Sequence, residues 1–249
     1  MLIRPPRAHA LFVLAHGAGA GMRHAFMEAA AAALAARGIA TWRYEFPYAA
    51  ARRKRPDSPA VLEATVRDAV ARATAAAPDL PLFAGGKSMG GRMTSRAQAE
   101  TPLPGVRGLI FLGFPLHPPG DPSDARADHL AAVTVPTLFL QGTRDTLAAL
   151  PRIERVVAKI GGRLHVVDGA DHGFKVRGRT ADDVHAELAD AIVAFIALLI
   201  ADRASARRSR TGTRGPRAAS PGPRTRPSRA KPESDRGSRP GPRPRSRER

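Results

Sequence analysis

Leu82-Phe83-Ala84-Gly85-Gly86-Lys87-Ser88-Met89-Gly90 runs an apolar segment straight into a serine held between two glycines. A strand that feeds G-x-S-x-G into a helix is a nucleophile elbow. The turn holds the serine at a strained backbone angle, and only residues without bulky side chains fit two positions before and after it. The hydroxyl then stands exposed above a sheet. Glycine and serine are common residues, so the pattern gains meaning only if partner residues follow in the right order along the chain.

Outward from this turn, short and almost unbroken apolar runs recur at residues 10–15, 40–46, 82–84, 108–114, 137–140 and 164–167. Such runs suit strands buried on both faces of a parallel sheet. Segments with helical spacing lie between them. An alanine-rich helix at 25–37 is stopped by Gly38, and Ser58-Pro59 opens another with Leu62, Val66, Ala69 and Val70 on one face. Further helices are expected from the elbow to Glu100, over 151–160, and from a Thr180/Asp183 capping box to Asp202. This alternation predicts an α/β fold, a doubly wound, mostly parallel sheet of about six strands with helices on both faces.

In such sheets functional residues collect on loops beyond the carboxyl ends of the strands. The first run is followed by His16-Gly17-Ala18-Gly19-Ala20-Gly21, whose backbone amides could face a developing oxyanion. Ala18 would supply one amide and Met89, after the serine, the other. The run at 137–140 leads into Gln141-Gly142-Thr143-Arg144-Asp145, and the last run ends at Asp168-Gly169-Ala170-Asp171-His172. Ser88, Asp145 and His172 therefore occur in the order nucleophile, orienting acid, general base. Asp168 and Asp171 rank below Asp145, since Asp171 neighbours His172 and would have to fold back to reach its ring.

Other chemistries fit less well. A dinucleotide loop begun at Gly17 would need glycine where Met22 stands, and a phosphate loop ending in Gly86-Lys87-Ser88 would need it at Pro81, which has no amide to offer. No zinc spacing is matched by His165, Asp168, Asp171 and His172, so neither metal nor cofactor is expected. Lys87 and Arg92, beside the serine, are read as makers of structural ion pairs. The basic run 52–55 lies near the expected mouth of the cleft and could attract an anionic substrate, although a solvated loop is the plainer reading.

Composition divides the chain near Arg203. Residues 203–249 contain no Leu, Ile, Val, Met, Phe, Tyr or Trp, and carry 16 Lys+Arg against 3 Asp+Glu. Residues 1–202 carry 24 and 19, so most of the +18 net charge belongs to the tail. A segment so poor in apolar side chains cannot offset its ordering entropy, and 203–249 is expected to be a disordered Arg/Pro/Ser/Gly-rich tail behind a single domain at 1–202. Weak, salt-dependent contact with nucleic acid or another polyanion is the most the tail offers. With no cysteine, disulfides and thiolate chemistry are excluded. Pro5-Pro6 interrupts any signal-peptide pattern, and the apolar stretch 191–201 is too short to span a bilayer. No membrane partner and a cytoplasmic location are the expectation.

On these residues the chain resembles the α/β-hydrolase superfamily, specifically dienelactone-hydrolase-like proteins. It is similar to the branch that contains testis-expressed protein 30 and subunit 3 of the NSL chromatin complex. The matching segments are 15–19, 46–48, 85–92, 141–145 and the stretch Gly113-Phe114-Pro115-Leu116-His117-Pro118-Pro119-Gly120. The resemblance implies a sheet without the family's first antiparallel strands, and it supports Ser88, Asp145 and His172 as a triad. The segment 117–133 is too short for a large lid, which argues against a long-chain lipase. A serine hydrolase acting on a small ester, thioester or lactone is expected, with a small-molecule acyl substrate. The alternative is a hydrolase-shaped interaction protein without catalysis.

Overall fold

A computed structural model of the chain describes residues 1–211. The segment 212–249, with the disorder and the polyanion contact expected of it, lies outside the described residues. In chain order the elements are β1 (Leu2–Ile3), β2 (Ala10–Ala15), α1 (Ala25–Ala35), β3 (Ile39–Tyr44), α2 (Pro47–Ala50), α3 (Pro59–Ala76), β4 (Leu82–Lys87), α4 (Met89–Glu100), β5 (Val106–Leu112), a 3-10 helix (Ala125–Ala132), β6 (Thr137–Gly142), α5 (Leu150–Lys159), β7 (Arg163–Val167) and α6 (Ala181–Thr211).

The strands form one sheet in the order β1-β3-β2-β4-β5-β6-β7, parallel except for β1. The six apolar runs each became a strand. Six parallel strands give the expected sheet, and β1 adds a seventh at its edge, an antiparallel strand that the resemblance did not imply. Leu2 pairs with Trp42 and Ile3 with Thr41, and the Met1 ammonium donates to the Arg43 carbonyl at 2.7 Å. Two residues ahead of Pro5-Pro6 carry no periodicity that would mark them as a strand.

Every residue of β2 is buried, and alternate side chains enter opposite cores. Leu11, Val13 and Ala15 join a cluster with Leu62 and Val66 of α3, Met93 of α4 and Ile153 of α5. Ala10, Phe12 and Leu14 join one with Met27 and Leu34 of α1 and Leu188 and Ile192 of α6. Burial of each such Leu, Ile or Phe contributes about 1.5–3 kcal/mol, so two helical layers on a central strand are what fix the sandwich.

The last helix departs from expectation at both its composition and its end. By length and composition Ala181–Asp202 is long and apolar enough to cross a membrane, its most apolar 18-residue window having a mean hydropathy of 2.0, which the stretch 191–201 alone understated. Here Val184, Leu188, Ile192, Phe195 and Ile196 are buried against the sheet. The helix then runs on to Thr211, nine residues past the boundary placed at 202. Its start is as expected: Thr180 Oγ1 donates to Asp183 Oδ2 at 2.6 Å, and the Asp183 amide donates back to Thr180 Oγ1 at 3.1 Å.

The chain moves outward from β2 to β3, then returns to place β4 on the other side of β2. That reversal opens a crevice at the carboxyl ends of β2 and β4, where the pairing of Ala15 with Gly86 sets the following loops side by side. The approach leaves no room for side chains. A Cβ on Gly86, whose φ is +152°, would lie 2.2 Å from the Ala15 carbonyl oxygen, and one on Gly90 would lie 2.5 Å from that of His16. Gly86→Ala is therefore expected to cost about 2 kcal/mol or more of stability, by strain and clash against backbone. Urea unfolding of the variant checks this; an unchanged midpoint would contradict the tight strand approach.

Candidate active site

Ser88 sits between β4 and α4 at φ 49° and ψ −117°, a left-handed backbone that a non-glycine residue rarely adopts. The turn is held from outside, because the Ser88 amide donates to the Leu112 carbonyl of β5 at 3.0 Å. The His172 ring lies across the cleft, with Nε2 2.8 Å from Ser88 Oγ and Nδ1 2.7 Å from Asp145 Oδ2. Nδ1 donates to the carboxylate, which leaves the Nε2 lone pair for the serine proton. Residues that are 57 and 27 positions apart in sequence steps thus meet because the loops after β4, β6 and β7 open on one edge of the sheet.

Asp145 is 4% exposed, and a buried carboxylate needs donors to offset its lost hydration. Besides His172 it accepts from Gln141 Nε2 at 2.5 Å and from the Leu147 amide at 2.8 Å. Gln141 in turn accepts from the Phe114 amide at 3.0 Å, tying the acid to the end of β5. The rival acids are occupied elsewhere: Asp168 accepts from Thr143 Oγ1 at 3.2 Å, and Asp171 accepts from the Lys175 amide at 2.9 Å.

The loop after β2 is fixed by His16, which is fully buried. Its Nε2 accepts from the Phe46 amide at 3.1 Å, so Nδ1 carries the proton and donates to the Gly17 carbonyl at 2.9 Å. Burial lowers its pKa, which keeps the ring in this neutral form. The Glu45 carboxylate 3.2 Å from Nε2 is then a close neighbour of a lone pair, and its other oxygen accepts from the Met22 amide at 3.0 Å. Ala18 and Met89 line one cavity with Ser88 and His172. The Met89 amide, at the first position of α4, is among those without an intrahelical acceptor.

Two cavities meet at Ser88. One of about 280 Å³ is lined by Gly17 to Ala20, Phe26 and Lys87; the other, of about 440 Å³, by Pro56, Leu62, Arg92, Pro115, Arg126 and Leu147. Ser88, Ala18 and His172 border both. The basic run 52–55 is exposed, and Arg53 pairs with Asp57 at 2.5 Å.

Lys87 and Arg92 do not form the ion pairs expected of them among the described residues. Lys87 Nζ donates instead to the His172 carbonyl at 2.6 Å, with the Phe174 and Phe26 rings 5.3 and 5.7 Å away. Lys87 thus holds the backbone that carries the histidine. Sequence reasoning missed Gln141, His16 and Lys87 as supports of the site. Gln141 and His16 do carry a signal, a polar residue at the end of an otherwise apolar run; nothing local marks Lys87.

The profile of the family described as alpha/beta hydrolase domain matches residues 8–197. Among solved structures, a dienelactone hydrolase from Anabaena variabilis is 25% identical at a TM-score of 0.60, over 76% of this chain and 87% of that one. A protein from Thermus thermophilus is also 25% identical, with a TM-score of 0.57 over 80% and 92%. A serine hydrolase without lid from Xanthomonas campestris, 20% identical with a TM-score of 0.61 over 78% and 87%, shares the fold.

Desolvation lowers the Lys87 ammonium to about 8, with the carboxylates of Asp145 and Asp171 acting in the opposite direction. Between that value and the ordinary lysine range the unfolded chain holds a proton that the folded chain has lost, so stability attributable to Lys87 increases with pH across this window. Relative to Lys87→Met, the wild type is expected to gain up to about 1.4 kcal/mol per pH unit there, as read by denaturant titrations from pH 8 upward. A difference that is flat with pH would contradict the buried cation.

Proposed function

The chain belongs to the alpha/beta hydrolase domain family, and on that premise we propose that it is a serine hydrolase that cleaves a small ester, thioester or lactone through an acyl-enzyme. The observation that carries this is the relay in which His172 bridges Ser88 at 2.8 Å and Asp145 at 2.7 Å. A serine hydroxyl is too weak a nucleophile at neutral pH without such a base.

His172 Nε2 takes the proton from Ser88 Oγ as the oxygen attacks the acyl carbon, and the charged ring is stabilised by Asp145, which stays ionised. The amides of Ala18 and Met89 receive the oxyanion, each donor worth about 3 kcal/mol of barrier. His172 then returns its proton to the leaving group, the acyl group remains on Ser88, and water activated by the same ring releases it. The paired glycines and the buried Asp145 network are consistent with a site set in place before substrate arrives, so little reorganisation is left for the reaction.

The two cavities give room for a small acyl group and a small leaving group, in keeping with a short segment between β5 and β6 that carries only a 3-10 helix. Within the family, we place the chain with dienelactone-hydrolase-like proteins and in the branch of testis-expressed protein 30 and NSL subunit 3. The dienelactone hydrolase likeness and the Gly113 to Gly120 stretch support that placement.

A panel of short-chain esters, thioesters and lactones is expected to show turnover by the wild type and none by Ser88→Ala at unchanged folding. Asp145→Asn is expected to lower kcat by on the order of 10⁴-fold, because the amide favours the wrong imidazole tautomer. Equal turnover by Ser88→Ala would rule the proposal out.

A further inference from the structure

The larger cavity beside Ser88 contains two guanidinium groups that the hydrolytic relay does not use. Arg92 stands one helical turn after Ser88, its amide donating to the Ser88 carbonyl at 3.1 Å, so its side chain leans back over the turn that carries the nucleophile. Arg126 comes from the 3-10 helix, which packs against α4, and one of its nitrogens donates to the His117 carbonyl at 3.0 Å. Both line the same cavity as Ser88, Met89 and His172.

Neither arginine has a carboxylate partner among the described residues. The acids nearby are already engaged: Glu63 pairs with Arg96 at 2.5 Å, and Asp57, which lines the same cavity, accepts from Arg53 at 2.5 Å and from the Tyr48 amide at 2.8 Å. Asp124 pairs with Arg152 at 3.1 Å. The two guanidinium groups therefore share a half-buried cavity without a direct carboxylate contact for either among the described residues. Desolvation, then Arg126 and Arg96, lowers Arg92 to about 10 despite the pull of Glu63. The field reaches further, since desolvation followed by Arg96 and Arg92 pushes His129 down to about 4. His129 contacts Ser95 Oγ at 2.7 Å, on the same helix as Arg92.

A like-charge pair is costly to hold together unless an anion completes it, and a planar guanidinium fork is suited to the two oxygens of a carboxylate or phosphate. The geometry points to an anion-binding subsite formed by Arg92 and Arg126, so that the substrate of Ser88 is an ester or thioester bearing a second, anionic group. The substrate class rests on the hydrolase reading of Ser88; the anion site itself does not. The remaining wall, with Leu62, Met93, Pro115, Pro119 and Leu147, suits a short apolar linker between the two ends.

The test uses the full chain and two pairs of esters. Mono-para-nitrophenyl glutarate, with its anion on the acyl arm, is set against its neutral methyl ester; acetoxybutyrate, with its anion on the alcohol arm, is set against its own methyl ester. In at least one pair the wild type is expected to favour the anion by about tenfold or more in kcat/KM, as charge-assisted hydrogen bonds imply. The preferred pair shows which arm enters the cavity. The preference is expected to fall toward unity with rising salt and in Arg92→Met and Arg126→Met, and to return in part with Arg126→Lys. Preference for the neutral ester in both pairs, or a preference that survives both methionine variants, overturns the subsite. If no ester is turned over, the hydrolase reading fails, and calorimetric titration of glutarate decides the subsite alone: binding lost in Arg126→Met supports it, and no binding by the wild type overturns it.

Discussion

The close approach of β2 and β4 at their carboxyl ends is the constraint on which the rest depends. Gly86 lies against the Ala15 carbonyl and Gly90 against that of His16, so the turn between them can be built only from residues without a Cβ at those two places. Squeezing the backbone there holds Ser88 in a left-handed conformation and lifts its side chain into the crevice. It also brings the Gly17 to Ala20 loop within reach of the same point, where both cavities open. A strained residue of this kind persists because two helical layers and a fully buried central strand over-determine it.

Around that turn the protein arranges buried charge with uneven compensation. Asp145 is satisfied three times over, by a ring, a side-chain amide and a backbone amide, which fixes its orientation and, through His172, that of the imidazole. Lys87 is left with a carbonyl and two aromatic faces. Arg92 and Arg126 are left without a direct carboxylate partner among the described residues. Compensation is complete at the acid that orients His172 and incomplete at the arginines that line the larger cavity, the contrast on which the proposed anion subsite rests.

Much of this is legible in the amino-acid sequence. The six apolar runs became strands because a strand buried on both faces needs side chains that read as nearly continuous apolar sequence, and the capping box at Thr180 and Asp183 acts locally. The meeting of Ser88, Asp145 and His172 was legible because each follows a strand, and loops at one sheet edge must lie close. What escaped depends on partners far along the chain. β1 has two residues and exists through β3; the last helix continues through Arg-rich sequence that composition alone marks as unfolded. Arg92 and Lys87 resemble any surface cation, and only the positions of Glu63, Asp57 and the His172 carbonyl show what they are and are not paired with.

The central claim is that Ser88 is activated by His172 rather than merely exposed beside it. Treating the full chain with a fluorophosphonate and locating the adduct by intact mass and peptide mapping tests this most directly. A single adduct on Ser88, formed by the wild type and lost when His172 is replaced by alanine in a folded variant, is the result the account predicts. No adduct, or labelling of Ser88 at the same rate without the histidine, would contradict it.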